Sequence, residues 1–239
     1  MKTLGLIGGM SWESTVTYYQ IINQTVKEKL GGLHSARLIL YSVEFSEIEE
    51  MQAQGKWAES GELLSDAARK LEAAGADYIM ICTNTMHKVA PQVCRSIHVP
   101  LLHIGEATAD ALQEAGVECV GLLGTRYTMT QDFYKEKLQQ QGIRVLIPEK
   151  PDIEEINRII FQELCLGEIL PGSREAFLEI IADLSRKGAQ GIILGCTEIG
   201  LLIKQEDTSV PLFDTTQIHA RRAALIALQD NKGDCLQAQ

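Results

Sequence analysis

The sequence lacks the features that mark several large functional classes. Basic residues are outnumbered, with 22 Lys and Arg against 32 Asp and Glu and a formal net charge of −10. Nucleic acid and anionic membranes both require a basic surface, so neither is an expected partner. A small anionic substrate is compatible with this charge, because helix N-termini can make a site locally positive.

Long apolar runs are also missing. No stretch reaches the roughly 18–20 residues of a membrane-spanning helix. Residues 1–9 (MKTLGLIGG) superficially resemble a secretory signal, but the segment is too short and ends in a glycine turn. We therefore expect it to form the first strand of a cytoplasmic protein.

Motifs for metals and common cofactors are absent. The six cysteines include no C-x-x-C pair, so buried thiols are expected rather than disulfides or zinc ligands. No His/Cys/Asp spacing typical of a metal site is present. No G-x-G-x-x-G or G-K-S/T follows the turn at residues 8–9. No lysine lies at a predicted strand end, where a pyridoxal Schiff base would need one.

The sequence does contain an internal repeat. Residues 75–85 (GADYIMICTNT) and 188–198 (GAQGIILGCTE) lie 113 positions apart. Each follows an amphipathic helix and runs through a short apolar strand into small polar residues. Residues 4–9 match the strand that ends at Gly124-Thr125, and residues 99–102 match residues 210–213, at similar offsets. Three matches at nearly constant offset predict a duplicated α/β unit.

Alternating strands and helices predict two pseudo-symmetric Rossmann-like halves, each with a parallel sheet between helices. The halves are predicted at residues 1–103 and 104–214, with a last helix (215–230) joining the first half and a disordered tail beyond 230. Residues 45–55 are polar and irregular, which predicts a mobile flap. The predicted strands are 4–7, 37–43, 78–82, 99–103, 119–123, 144–148, 191–195 and 210–213. The predicted helices are 13–30, 57–74, 86–96, 106–114, 127–141, 152–166, 173–187 and 217–228.

The repeat aligns Thr83 with Cys196 at two strand ends, where ligands of such folds bind. We therefore expect one site in a cleft between the halves, with these side chains facing each other. Cys196 should be partly exposed and near backbone N–H groups, which would lower its pKa below about 8.5. A buried structural cysteine is the alternative. Cys82 directly precedes Thr83 and should point to the opposite face of its strand.

Small polar residues and backbone N–H groups near these strand ends are candidate binding groups. They suit a carboxylate, which favours donors at a helix N-terminus, although capping alone could explain one of them. The candidates are Met10, Ser11, Asn84, Thr85, Thr125, Thr197 and Glu198. Three histidines near the same loops, His87, His103 and His219, are expected to be structural.

Three motifs together resemble the aspartate/glutamate racemase family: residues 8–12 (GGMSW), Asn84-Thr85 and residues 195–198 (GCTE). The resemblance runs from Leu4 to about Leu228, and the first motif is typical of the aspartate racemase branch. It implies two Rossmann-like halves, no cofactor, a homodimer in many members and a two-base reaction. One cysteine removes the α-proton of the amino acid as a thiolate, and a second cysteine delivers a proton from the opposite face.

The sequence departs from the family at the first cysteine, whose position is held by Thr83. The resemblance and the repeat therefore imply Cys196 as base and Thr83 as proton donor in an aspartate and/or glutamate racemase that favours L→D. Relatives often bind the distal carboxylate through a basic residue after the second strand. Here no arginine lies between residues 37 and 69, so Gln52 and Lys56 are the candidates.

Three other functions stay open. Decarboxylases of the arylmalonate type belong to the same superfamily and keep only the second cysteine, which protonates a carbanion. A broad-specificity amino-acid racemase is another alternative, and a small-molecule binding protein with a degenerate site is a third. The start of the chain, typical of the aspartate branch, and the presence of Cys196 favour the racemase.

Overall fold

The computed structural model describes residues 1–229, which fold into two compact α/β units. One unit comprises Met1–His103 and residues 219–229, and the other comprises Ile104–Ile218. Each contains a four-stranded, all-parallel sheet. This confirms the predicted fold class of two Rossmann-like halves. The predicted disorder beyond residue 230 lies outside the described residues.

The first strand of the chain is an inner strand of the first unit's sheet. Its strands are β1 (Leu4–Gly8), β2 (Leu38–Ser42), β3 (Tyr78–Ile81) and β4 (Leu101–Leu102). Their order in the sheet is β2-β1-β3-β4. Its helices are α1 (Trp12–Leu30), α2 (Phe45–Ala53), α3 (Trp57–Ala73) and α4 (Ala90–Arg95).

The second unit repeats this topology. Its helices are α5 (Ile104–Glu114), α6 (Arg126–Thr130), α7 (Asp132–Gln139), α8 (Lys150–Gln162), α9 (Pro171–Arg186) and α10 (Ile199–Leu202). The last helix, α11 (Thr215–Gln229), begins in this unit and belongs to the first unit from His219 onward. Its strands are β5 (Cys119–Gly124), β6 (Arg144–Leu146), β7 (Gly191–Gly195) and β8 (Leu212–Asp214), in the order β6-β5-β7-β8. Across residues 1–229, no helix has both the length and the apolar character that crossing a membrane requires.

Residue alternation along β3 assigns the two faces of the first sheet. Ile79 and Ile81 pack in one buried cluster, whereas Met80 and Cys82 pack in another. Side chains alternate between faces with a period of two, so Cys82 lies on the face away from Ile81. Its cluster also contains side chains of α1 and α11, and Cys82 is fully buried there.

Residues 45–55, predicted as an irregular flap, instead form α2 and the turn after it. Glu44 caps the helix by accepting a hydrogen bond from Ser46 N–H at 3.2 Å. Ile48 and Gln52, four residues apart, share its buried face. Only these two of its nine residues are buried, so the polar composition hid the helical pattern.

Three predicted helices are divided in the structure. Residues 86–96 begin with a 3-10 turn, Thr85–Val89, before α4. Residues 127–141 split into α6 and α7 at Gln131, whose ψ of 159° is extended. Residues 152–166 end in a separate 3-10 turn after α8. The first break precedes Pro91, which lies in the first turn of α4 and cannot continue a helix, whereas the other two lie in segments whose residues are compatible with one continuous helix.

The turn after β1 depends on glycine at position 9. Gly9 has a φ of +91°, and a Cβ added there would lie 2.3 Å from the Val43 carbonyl oxygen. Gly75 has a similar φ of +96°, but a Cβ there would meet no atom within 4 Å. Alanine at either position enters the left-handed region, which costs about 1–2 kcal/mol. Only the change at Gly9 adds a clash with backbone.

We therefore expect Gly9→Ala to lower the free energy of unfolding clearly more than Gly75→Ala, which is the matched control. Urea-induced unfolding followed by circular dichroism measures both changes. Equal losses of about 1–2 kcal/mol in the two variants would show that the turn moves away from Val43 at no cost.

Candidate active site

The loop after β1 is shaped by the first turn of α1. Gly9 N–H donates to Thr15 Oγ1 at 2.8 Å, and that hydroxyl donates to the Ser11 carbonyl at 2.9 Å. Ser11 is the N-cap of α1, and its Oγ accepts from Ser14 N–H at 3.4 Å. Met10 and Ser11 are both buried. The Ser11 hydroxyl therefore caps α1 as an acceptor.

The segment after β3 carries Thr83, Asn84 and Thr85. Thr83 is partly exposed, whereas Asn84 and Thr85 are buried. Asn84 holds the N-cap position of the 3-10 turn, but its side chain makes no capping hydrogen bond, so capping does not explain this amide. α2 brings Gln52 to the same place, since Gln52 Nε2 donates to Met86 Sδ at 3.1 Å.

Three histidines lie next to this segment. The His87 ring centroid lies 4.5 Å from that of His103 and 5.8 Å from that of His219. His87 Nδ1 donates to the Thr83 carbonyl at 2.7 Å. Burial lowers the pKa of His87 well below its usual value and lowers the pKa of His219 to about 4. Both rings are therefore neutral near pH 7.

In the second unit, Thr125 follows β5 and caps α6. Its Oγ1 accepts from Thr128 N–H at 3.3 Å. Strand pairing places Gly124 beside Gly195, so the ends of β5 and β7 adjoin. A Cβ on Gly124 would lie 2.8 Å from the Gly195 carbonyl oxygen, and one on Gly195 would lie 2.7 Å from that of Leu123. Glycine at both positions allows this close approach.

The loop after β7 joins a thiol, a hydroxyl and a buried carboxylate. Cys196 Sγ donates to Glu198 Oε2 at 3.0 Å, and Thr197 Oγ1 donates to the same oxygen at 2.6 Å. Glu198 is only 4% exposed. One carboxylate oxygen thus orients both side chains that precede it, and it lies in place to accept a proton from the thiol.

The pKa of Cys196 corrects one expectation from the sequence. A lowered pKa was predicted, but the pKa of the Cys196 thiol lies well above its ordinary value. Burial is the largest cause, and the negative charge of Glu198 is the next. A hydrogen bond from the Glu198 backbone N–H lowers the thiol pKa, as predicted, but burial and the Glu198 charge outweigh it. The thiol is therefore protonated at neutral pH and needs a proton acceptor before it can act as a base.

Cys82 differs from Cys196 in its surroundings. It lies in an apolar cluster with no surface exposed, and burial raises the pKa of its thiol. It contacts the side of the sheet covered by α1 and α11 although it is next to Thr83 in sequence. Within residues 1–229, no group of three or more His, Cys, Asp and Glu side chains could hold a metal ion.

Each unit holds its own set of the predicted site residues. The first unit carries Met10, Ser11, Gln52, Thr83, Asn84 and Thr85, and the second carries Thr125, Cys196, Thr197 and Glu198. Sequence reasoning missed that Glu198 accepts from the thiol, although the two-residue spacing from Cys196 was visible. It also missed the bond from His87 to the Thr83 carbonyl, for which the four-residue spacing was the available signal.

Known proteins resemble this chain over most of its length. The family described as Asp/Glu/hydantoin racemase matches residues 7–223. A candidate Asp/Glu racemase of Yersinia pestis is 57% identical, with 96% of this chain and 100% of that chain covered and a TM-score of 0.90. An aspartate racemase homologue of Pyrococcus horikoshii is 40% identical, with 95% and 100% covered and a TM-score of 0.83. The broad-specificity amino-acid racemase RacX of Bacillus subtilis is 24% identical over 156 residues, which are 65% of this chain and 67% of that protein.

The contact between Cys196 and Glu198 predicts how the thiol reacts. Glu198→Gln removes the negative charge that raises the thiol pKa. We therefore expect the pH midpoint for alkylation of Cys196 by iodoacetamide to fall in this variant, as read from the Cys196 peptide by mass spectrometry. Glu179→Gln, which changes an exposed carboxylate of the same unit, is the matched control. An unchanged midpoint in Glu198→Gln would contradict the assigned cause.

The buried neutral histidines predict a loss of stability in acid. The folded pKa of His219 is about 4, below the roughly 6.5 of an unfolded histidine. Below pH 6.5 the unfolded state binds more protons than the folded state does. The contribution of neutral His219 to the free energy of unfolding is therefore complete above that pH. It is lost as the pH falls towards 4, by up to about 1.4 kcal/mol per pH unit.

We expect the free energy of unfolding of the wild type to fall more steeply between pH 6.5 and 4 than that of His219→Gln. Denaturant titrations at several pH values measure this difference. His34→Gln changes an exposed histidine of the same unit and should follow the wild type. Parallel curves for the wild type and His219→Gln would show that His219 does not titrate in this range.

Proposed function

The chain belongs to the Asp/Glu/hydantoin racemase family, and from this premise we propose that it is a cofactor-independent racemase of aspartate and/or glutamate. As a racemase it is an isomerase. The observation that carries the proposal is the hydrogen-bonded group of Cys196, Thr197 and Glu198 after β7. The equivalent position after β3 holds Thr83. The proposal assigns the thiol to one face of the substrate α-carbon and the hydroxyl to the other.

The resting thiol reaches its reactive form by passing its proton to Glu198. The S–H bond breaks, the Glu198 carboxylate becomes a carboxylic acid, and the thiolate then takes the α-proton of the L-amino acid. The transfer is short because the thiol already donates to Glu198 Oε2 at 3.0 Å. An ammonium group of the substrate next to the sulfur favours the thiolate.

Thr83 completes the inversion from the other face. A threonine hydroxyl is too weak an acid to rest as an alkoxide at neutral pH, so it serves as a donor better than as a base. The resemblance assigns the L enantiomer to Cys196, and the easier direction is therefore L→D. The enantiomers have equal free energy in solution, so kcat/KM is equal in the two directions. A larger kcat for L→D is balanced by a larger KM.

The groups that we propose for substrate binding are neutral side chains and backbone N–H groups. We assign the α-carboxylate and amine to Asn84, Thr85, Thr197 and backbone N–H groups near Met10 and Ser11. Gln52 is assigned to the distal carboxylate, because α2 brings its amide to the segment after β3. An amide offers hydrogen bonds without a charge, so it discriminates a dicarboxylate less strongly than an arginine would.

Two alternatives each have an observation in their favour. Similarity to the broad-specificity RacX and the neutral Gln52 favour a wider range of amino acids. The aligned pair of Thr83 and Cys196 contains one thiol, and the neighbouring Cys82 is fully buried. A protonated thiol is the form that a single-cysteine decarboxylase needs to protonate a carbanion. The homodimer implied by the resemblance stays a prediction.

Incubations in D₂O with L-aspartate, L-glutamate, L-alanine and an arylmalonate separate these functions. We expect α-deuterated D-aspartate or D-glutamate, no inversion of alanine and no CO₂ from the arylmalonate. Chiral chromatography, mass spectrometry and CO₂ release provide the measurements. Inversion of alanine would establish the broad-specificity racemase, and CO₂ release would establish the decarboxylase.

Substitutions at the aligned pair test the two roles. Cys196→Ser should abolish both directions, and Thr83→Cys should raise kcat for D→L because it restores two thiols. Cys82→Ala is the matched control and should remain active, since its side chain lies in the core. If Cys82→Ala is inactive though folded, and Thr83→Cys leaves D→L turnover unchanged, then Cys82 is the second acid.

A further inference from the structure

The buried histidines of the first unit form a connected group around the segment that carries Thr83. His87 contacts the Thr83 carbonyl through Nδ1, and its ring lies against those of His103 and His219. Tyr18 of α1 extends the group, with its hydroxyl 2.9 Å from His219 Nδ1. Side chains from α1, the 3-10 turn and α11 therefore meet next to a proposed catalytic residue.

Carbonyl partners fix which nitrogen carries the proton on two of these rings. A carbonyl oxygen only accepts, so His87 carries its proton on Nδ1. His219 carries its proton on Nε2, which lies 2.8 Å from the Leu102 carbonyl oxygen. His219 Nδ1 is then an acceptor, and the Tyr18 hydroxyl donates to it. These bonds fix the tautomer of each of the two rings.

We propose that His87 is a positioning residue that places the Thr83 hydroxyl by holding the Thr83 carbonyl, and that His219 and Tyr18 keep the His87 ring in place. This inference rests on the proposed role of Thr83. β1 holds the end of β3 through Cys82, whose N–H donates to the Ile7 carbonyl at 2.9 Å. Thr83 is the next residue, and the bond from His87 continues the restraint where the strand has ended.

A positioning role and a merely structural role affect different quantities. Loss of structure lowers the amount of active enzyme, so every reaction of the site falls in proportion. Misplacing the Thr83 hydroxyl impairs only the delivery of a proton to the second face, and a shift of about 1 Å can cost roughly 100-fold. Two reactions that differ in their need for Thr83 therefore separate the two roles.

Racemisation of L-aspartate and elimination from 3-chloro-L-aspartate form such a pair. Racemisation requires removal of the α-proton and delivery of another from the opposite face. In the elimination, the α-C–H bond breaks, its electron pair forms the Cα=Cβ bond, and chloride leaves with the C–Cl electrons. The proton stays on Cys196, and the released enamine is hydrolysed to oxaloacetate and ammonium. Only the first reaction uses Thr83.

The test compares the ratio of racemisation to chloride release in the full-length enzyme. In His87→Leu, which removes the donor, we expect this ratio to fall roughly 10- to 100-fold. His87→Asn places an amide nitrogen close to the position of Nδ1 and should return the ratio towards the wild-type value. His34→Asn, at an exposed histidine, is the matched control and should leave the ratio unchanged.

A proportional fall of both reactions in His87→Leu, or no recovery of the ratio in His87→Asn, would overturn the positioning role. Tyr18→Phe removes only the hydroxyl that donates to His219, so it gives a second reading if His87→Leu does not fold. A smaller drop in the same ratio is expected there, and an unchanged ratio counts against the proposal. Failure of the wild type to racemise any acidic amino acid would instead overturn the proposed function.

Discussion

The hydrogen bond from the Cys196 thiol to the Glu198 carboxylate determines what this site can do. Burial, together with the carboxylate charge, raises the pKa of the thiol and keeps the sulfur protonated, and the same carboxylate accepts the thiol's hydrogen bond. Thr197 shares that oxygen, so the loop after β7 has one hydrogen-bonded arrangement. The close approach of Gly124 and Gly195 sets where this loop leaves the sheet.

The duplicated topology carries unequal chemistry in its two copies. The repeat that aligns Thr83 with Cys196 also aligns Thr85 with Glu198. The second unit places the Glu198 carboxylate in hydrogen-bond contact with its thiol, whereas in the first unit the residue two positions after Thr83 is another threonine. The first unit supports its segment through the backbone instead, by the bond from His87.

Much of the fold could be predicted because its signals are local and periodic. β1 and β7 are apolar runs that end at glycine, and the repeat showed that they belong to equivalent units. A period of two placed Cys82 on the face away from Ile81 without reference to any partner. α2 was missed because two buried residues in nine give too weak a pattern.

The details of the candidate site were harder to predict, because they depend on which side chains meet in the folded chain. The pKa of Cys196 follows from burial and from the orientation of Glu198, and neither can be read from the neighbouring residue types. His87, His103 and His219 are separated by up to 132 positions (219 − 87). No periodic pattern joins them, so their contact was visible only in the structure.

The first unit becomes complete later in synthesis than the second unit, because α11 from His219 onward follows the second unit in the chain. Alanines of this helix cover one face of the first sheet, and the Ala227 carbonyl accepts from Lys2 N–H at 3.0 Å. The ribosome makes β1 and α1 early, yet the cover that α1 gives to that face of the sheet stays incomplete until α11 has been made. The second unit is continuous in sequence, so it can close its core earlier. A released chain that ended at residue 218 would therefore contain the whole second unit, whereas its first unit would lack the helix that completes it.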